Sequence, residues 1–252
     1  MVKIFYSKTK EEAGEKAAKS LAAVINAKPD AVLGLATGSS PLDMYSSLIK
    51  MYKNGELSFK SSRSINLDEY VGLTPDHDQS YAYFMNVNLF DNVDIDKNNT
   101  NLPNGVATDR CAECKRYNAL VDSFGGADVQ VLGIGLNGHI GFNEPADKFS
   151  KGTNVVDLTE STIKANSRFF ASESDVPTQA FSMGIDQIMM AKKIILLANG
   201  AAKAEILERS FFGDVTPRTP ASILQFAKDV EVYADEEALS VIIAKHPEYL
   251  IK

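Results

Sequence analysis

Tryptophan is absent from the 252 residues, and only two cysteines and three histidines occur. Two cysteines cannot make a disulfide framework. Cys111 and Cys114 are spaced C-x-x-C within a stretch of helical character, with no second ligand pair for zinc and no strand-to-helix junction for a redox motif, so they read as thiols on neighbouring helical turns. One histidine in a site-like context and scattered carboxylates have no metal-ligand spacing, and no metal is expected. Long apolar runs are also missing: Ile194 to Ala198 is far too short to span a bilayer, and the start, Met1 to Lys8, lacks a signal-peptide core. These absences lead to the expectation of a soluble, cytoplasmic protein with no membrane partner. Basic residues are outnumbered, 26 against 33 acidic, for a net charge of -7. That balance disfavours a nucleic-acid partner and leaves room for a small anion in a local basic pocket. No internal repeat, heptad run, low-complexity stretch or Pro/Gly/Ser-rich linker divides the chain, which reads as one domain over 1–252.

What the chain does have is alternation. At 44% hydrophobic it can bury a full core, and short β-rich runs alternate with longer helical ones. This pattern predicts a single-domain α/β fold: an open, mainly parallel, Rossmann-like sheet with helices on both faces. Strands are expected at 2–6, 32–36, 64–68, 128–133, 155–158, 193–198 and 230–234. Helices are expected near 9–27, 41–54, 80–90, 108–124, 160–166, 201–211 and 235–245. Thr9 with Glu12 forms a capping-box pattern, and Ser40-Pro41 suggests an N-cap followed by a first-turn proline. The polar segment 148–177, with Gly152 and Pro177, reads as a flap over a site or as a long connection; its place directly after a glycine loop favours the flap.

In open α/β sheets ligands bind beyond the carboxyl ends of the strands, so the informative residues follow each strand. After one of them comes Gly133-Ile134-Gly135-Leu136-Asn137-Gly138-His139-Ile140-Gly141-Phe142-Asn143-Glu144-Pro145. Gly133, Gly135 and Gly138 spell G-x-G-x-x-G, with Asp157 at the distance a dinucleotide fingerprint requires. Gly141, Pro145 and Gly152 break the helix that fingerprint needs, so no dinucleotide cofactor is expected. His139 can move protons near neutral pH, with Glu144 placed to orient it; His77 lies in a polar loop and His246 near the C-terminus. No G-x-S-x-G elbow is present for a serine hydrolase.

Thr37-Gly38-Ser39-Ser40, leading into a helix, suits a phosphate on backbone N–H groups and hydroxyls, or is an ordinary capped turn. It lacks the lysine of a nucleotide P-loop. Lys203 sits at a helix start, where the dipole disfavours a cation unless an anion is bound. Arg168 is a candidate third phosphate contact or a plain surface arginine. Asp68 and Glu69 end an apolar strand and must point to opposite faces, so one of them is a candidate general base unless both are solvated.

Taken together, Gly34 to Pro41, Asn66 to Leu73, Asn137 to Pro145 and Asn166 to Phe170 resemble the glucosamine-6-phosphate deaminase (glucosamine-6-phosphate isomerase) family, in family order and over most of the chain. The resemblance implies conversion of glucosamine 6-phosphate and water to fructose 6-phosphate and ammonia, in amino-sugar catabolism, without metal or organic cofactor. It assigns ring opening to His139 with Asn137 and Glu144 as partners, and proton movement between C2 and C1 to Asp68. Thr37, Gly38, Ser39, Ser40, Arg168 and Lys203 match its phosphate-binding positions. Many larger members carry aspartate where this chain has Asn137, and the allosteric ones carry basic residues where Asn154 and Val156 stand. The resemblance is therefore to the smaller, non-allosteric type, a monomer or small homo-oligomer. Close alternatives are a 6-phosphogluconolactonase-like hydrolase and a non-catalytic sugar-phosphate sensor; the absence of a helix-turn-helix or basic extension disfavours the sensor.

Overall fold

A computed structural model describes residues 2–167, 170, 172 and 175–251. Its main sheet has eight strands, all joined by parallel pairings. In chain order these are β1 (Val2–Ser7), β2 (Val32–Leu35), β3 (Arg63–Asn66), β5 (Thr100–Asn101), β6 (Val129–Leu132), β9 (Lys193–Ala198), β10 (Val230–Asp235) and β11 (Leu250–Ile251). Across the sheet they run β11-β1-β10-β9-β6-β2-β3-β5. After β2 the chain moves towards β3 and β5; after β6 it moves the other way, to β9 and β10. Right-handed crossovers in opposite directions put helices on opposite faces, and the reversal between β2 and β6 opens a crevice at their carboxyl ends.

The first helix, α1 (Lys10–Ala27), buries Ala13, Ala17, Ala18, Leu21, Ala22 and Ile25, a stripe at helical spacing that packs on the sheet and on α2 (Leu42–Lys53). Each fully buried leucine or isoleucine contributes roughly 1.5–3 kcal/mol. Thr9 Oγ1 accepts the Glu12 N–H at 3.3 Å, as the capping pattern predicts. Glu12 reaches back one residue further than expected, to the Lys8 N–H at 2.7 Å. The second helix departs more: Pro41 occupies the cap position and no side chain caps it, so Ser40 is left over the crevice.

A second sheet, unmarked in the sequence pattern, lies beside the first. The apolar run expected as one strand, 64–68, breaks at Leu67, and Asp68 starts β4 (Asp68–Tyr70). This strand pairs antiparallel with β8 (Gln179–Ser182), which pairs antiparallel with β7 (Asn154–Asp157). The strand expected at 155–158 therefore lies outside the parallel sheet. It also gives the start of the segment expected as a flap a regular partner. Tyr70, Phe142, Leu158 and Ala180 form a separate small core there, joined by Tyr81, Ile163 and Phe170.

The remaining α-helices among the described residues are α3 (Tyr81–Asn88), α4 (Arg110–Phe124), α5 (Glu160–Asn166), α6 (Ile185–Met189), α7 (Ala204–Phe212) and α8 (Ser240–Lys245). Cys111 and Cys114 lie on α4, the first exposed and the second half-buried, both as free thiols.

Candidate active site

Both loops at the switch point meet. Gly133 and Ser40 are in ordinary van der Waals reach, since a Cβ at 133 would stand 3.5 Å from Ser40 Oγ. The Thr37–Ser40 turn is fixed from below by the buried Tyr45, whose hydroxyl donates to Ala36 O at 2.6 Å. Thr37 and Ser40 are half-buried, and Gly38 and Ser39 are exposed. From the neighbouring strand end, Lys203 sends Nζ to Ile134 O at 2.6 Å, on the glycine loop. Burial lowers its pKa, so an unpaired ammonium there is held at a cost that an anion would relieve. Asp235, which strand-end reading did not single out, accepts N–H bonds from Gly200 and Ala238 and so shapes the loop carrying Lys203. Turn, lysine and loop thus converge as a phosphate site would need. Arg168 lies outside the described residues.

The two acids at the end of the apolar run do part company. Glu69 turns to α3: Oε1 accepts from the N–H of Tyr70 and Tyr81, and Oε2 from that of Ala82, at 2.8 to 2.9 Å. With Ser80 Oγ taking the Tyr83 N–H, the free donors of the helix start are met by side chains. Burial pushes the Glu69 carboxyl up to about 7, against those three donors. Asp68 turns instead to the glycine loop, its Oδ2 3.8 Å from where a Cβ at Gly141 would stand. It is only 6% exposed, and burial, followed by the charge of Glu69, pushes its carboxyl up to about 8. No described residue hydrogen-bonds to it.

Two contacts dock the loop beside Asp68. Across the antiparallel pair Asp68 faces Ser182, whose Oγ accepts the Phe142 N–H at 3.1 Å. Asn143 is buried, and its Nδ2 donates to Ile140 O and Met183 O at 2.9 Å each, closing the loop on itself and on the end of β8. Gly141 makes the bend with φ +57°, a region that favours glycine. Neither Ser182 nor Asn143 was legible as a site residue, because each acts through a neighbour distant in sequence.

Within the loop the expected partners come together. Asn137 Nδ2 donates to Glu144 Oε2 at 2.6 Å, and Asn137 Oδ1 accepts the His139 N–H at 3.2 Å. His139 Nδ1 lies 3.2 Å from Glu144 Oε1, off the line that a ring N–H bond needs. Burial pushes the Glu144 carboxyl up, but its contacts with His139, Asn137 and Thr162 outweigh that and hold it below its ordinary value. The carboxylate is therefore an anion, set to receive a proton-bearing ring. His77 and His246 lie elsewhere: His77 Nδ1 accepts the Gln79 N–H in its loop, and His246 stacks on Phe212. A cavity of about 360 Å³ borders this region, lined by Phe142, Asn143, Glu144, Lys148, Asp157 and Thr159 among others; it shares Phe142, Asn143 and Glu144 with the loop but includes none of Thr37–Ser40, Asp68 or Lys203.

A chain with this fold, a glycine-serine turn, a buried acid and a histidine-carboxylate pair at one crevice is similar to known proteins. Residues 7–233 match the family described as glucosamine-6-phosphate isomerases/6-phosphogluconolactonase. The chain belongs to that family. A glucosamine-6-phosphate deaminase of Clostridium perfringens (strain SM101 / Type A) is 52% identical over 241 residues, which are 96% of this chain and all of that one. The enzyme of the same name from Lachnoclostridium phytofermentans is 52% identical over 231 residues, 92% of this chain and 98% of the relative. A solved monomeric glucosamine-6-phosphate deaminase superposes with a TM-score of 0.92 at 46% identity, covering 95% of this chain and 99% of its own. The 6-phosphogluconolactonase of Trypanosoma brucei, at 18% identity and a TM-score of 0.75 over 95% of this chain and 98% of its own, shares the family fold.

Proposed function

We propose that this family member is a glucosamine-6-phosphate deaminase, converting glucosamine 6-phosphate and water to fructose 6-phosphate and ammonia in amino-sugar catabolism. The observation that carries the reading is Asp68: a buried carboxylate without a hydrogen-bond partner among the described residues, beside the loop that holds His139. A base of raised pKa, held in a dry crevice, suits removal of a carbon-bound proton.

The steps are those that the family resemblance implies. Thr37, Gly38, Ser39, Ser40 and Lys203 bind the phosphate, and that remote binding energy positions the reacting carbons. His139 moves a proton from the anomeric hydroxyl to the ring oxygen, opening the ring; Glu144 and Asn137 orient the imidazole and stabilise its charged form. Asp68 takes the proton from C2 and returns it to C1. The resulting ketimine adds water to give a carbinolamine, which loses ammonia. The family resemblance adds Arg168 to the phosphate ligands.

On this reading the enzyme works in the cytoplasm on a dissolved sugar phosphate, with no metal, organic cofactor, nucleic-acid or membrane partner. Among the described residues no helix is long and apolar enough to cross a membrane. The monomeric state of a 46% identical relative supports a monomer. Asn154 and Val156, in place of basic residues, support an enzyme without allosteric activation, with hyperbolic rate curves that N-acetylglucosamine 6-phosphate leaves unchanged.

The deciding assay is ammonia release from glucosamine 6-phosphate, with hydrolysis of 6-phosphogluconolactone as the control. Folded protein that released no ammonia would overturn the reading.

A further inference from the structure

Glu144 is held from two sides, and only one of them belongs to the glycine loop. Asn137, from within the loop, donates to Oε2 at 2.6 Å. The other oxygen, Oε1, stands 3.2 Å from His139 Nδ1 and accepts the Thr162 hydroxyl at 3.0 Å. Thr162 is on α5, outside every motif discussed above.

Its hydroxyl is itself supported. Thr159 Oγ1, at the cap of α5, donates to Thr162 Oγ1 at 3.0 Å and accepts the Thr162 N–H at 3.3 Å. A threonine hydroxyl carries one hydrogen, so donation runs one way, from Thr159 to Thr162 to Glu144, and each bond polarises the next. The start of α5 is tied in turn to the small sheet. Val156 pairs with Ala180, and the Leu158 N–H bonds to Thr178 O at 2.8 Å. Asp68 pairs with Ser182 in the same sheet. One three-stranded frame thus places both the candidate base and the threonine that meets Glu144.

Without Thr162, Oε1 would be left with the His139 ring as its one polar neighbour among the described residues, and the carboxylate could rotate about its last bond. The Asn137 bond fixes Oε2 but leaves the plane of the group free to swing. The threonine hydroxyl takes one lone pair of Oε1 and leaves the other for a proton-bearing Nδ1. We propose that Thr162 is a positioning residue for ring opening, which sets the face that Glu144 presents to His139. The proposal rests on the deaminase reading above.

The test compares Thr162→Val, which keeps the shape and removes the hydroxyl, with Thr162→Ser, which keeps the donor. In the ammonia assay Thr162→Val is expected to lose roughly tenfold in kcat with KM within about twofold, the size of one hydrogen bond to a charged group. Thr162→Ser should return to within about threefold of the unsubstituted enzyme. The acyclic inhibitor 2-amino-2-deoxyglucitol 6-phosphate needs no ring opening, so its inhibition constant should be the same in all three proteins. A Thr162→Val enzyme of undiminished kcat overturns the proposal, as does a serine variant as impaired as the valine one, or an inhibition constant that rises with the loss. Unsubstituted protein that released no ammonia would overturn the deaminase reading, and this proposal with it; an active enzyme indifferent to Thr162→Val overturns this proposal alone.

Discussion

The ring of His139 occupies the space in which a side chain at Gly135 would have to begin: a Cβ there would come within 2.5 Å of Nε2 and closer still to Cε1 and Nδ1. The second glycine of what looks like a dinucleotide fingerprint is thus a seat for an imidazole. Gly135→Ala should push the ring off Glu144 and lower kcat roughly 100-fold, the size of a 1 Å misplacement. The measurement is steady-state ammonia release, with thermal unfolding as a check that the fold survives; an alanine enzyme of full kcat would show that the ring position is not critical.

Asp68→Asn removes the base while keeping its shape. The variant should bind glucosamine 6-phosphate but lose exchange of the C2 proton with solvent deuterium, by roughly a thousandfold or more. Exchange retained at the original rate would reject Asp68 as the base.

Asn137→Asp replaces a donor to Glu144 by a second carboxylate at the same 2.6 Å position. A like charge raises the pKa of its neighbour, so the acid limb of the kcat/KM profile should move to higher pH by roughly one unit. His139 is the ionisable group in contact with this carboxylate among the described residues, and the substitution leaves it unaltered. A limb that stays in place would mean that Glu144 does not set it.

Two buried acids give the folded protein an uncommon pH response. Asp68, raised to about 8 from 3.8, keeps its proton in the folded state after the unfolded chain has lost it. Between roughly pH 4 and pH 8 the folded state therefore binds more protons, and stability falls as pH rises. Glu69, raised to about 7, acts in the same direction. Asp128, which accepts from Lys28, Lys192 and the Val32 N–H and lies at about 2, acts oppositely, and its contribution is lost as pH drops through that value. Asp68→Asn should flatten the decline of Tm between pH 5 and pH 8. An unchanged slope would show that Asp68 is ionised in the empty site.

The parallel core was legible because its strands are short apolar runs bounded by turns and separated by helical periodicity. The candidate site was legible for a related reason: Thr37, Asp68, His139 and Lys203 all follow strand ends, where sheet geometry puts ligands. The small sheet was not. Nothing in Ile65-Asn66-Leu67-Asp68-Glu69 marks a change of sheet at Leu67, because no glycine or proline interrupts the run. Gln179–Ser182 is only four residues long and makes sense only opposite β4 and β7. Glu69 as the anchor of α3, Asn143 as the clasp of the glycine loop and Thr162 as a partner of Glu144 all depend on meetings between distant segments. No spacing rule encodes those. Ser40 fails as a cap for a local reason, since Pro41 takes the cap position itself.

Leu67 is the only residue between β3 and β4, and it is wired to both sheets: its N–H bonds to Leu35 O at 3.3 Å, and its carbonyl accepts the Met183 N–H at 2.8 Å. Leu67 therefore joins the large layer, which carries the Thr37–Ser40 turn, directly to the small one, which carries Asp68. On the deaminase reading, the span from the Thr37–Ser40 turn to Asp68, which has to match a six-carbon chain, runs through this single-residue connection.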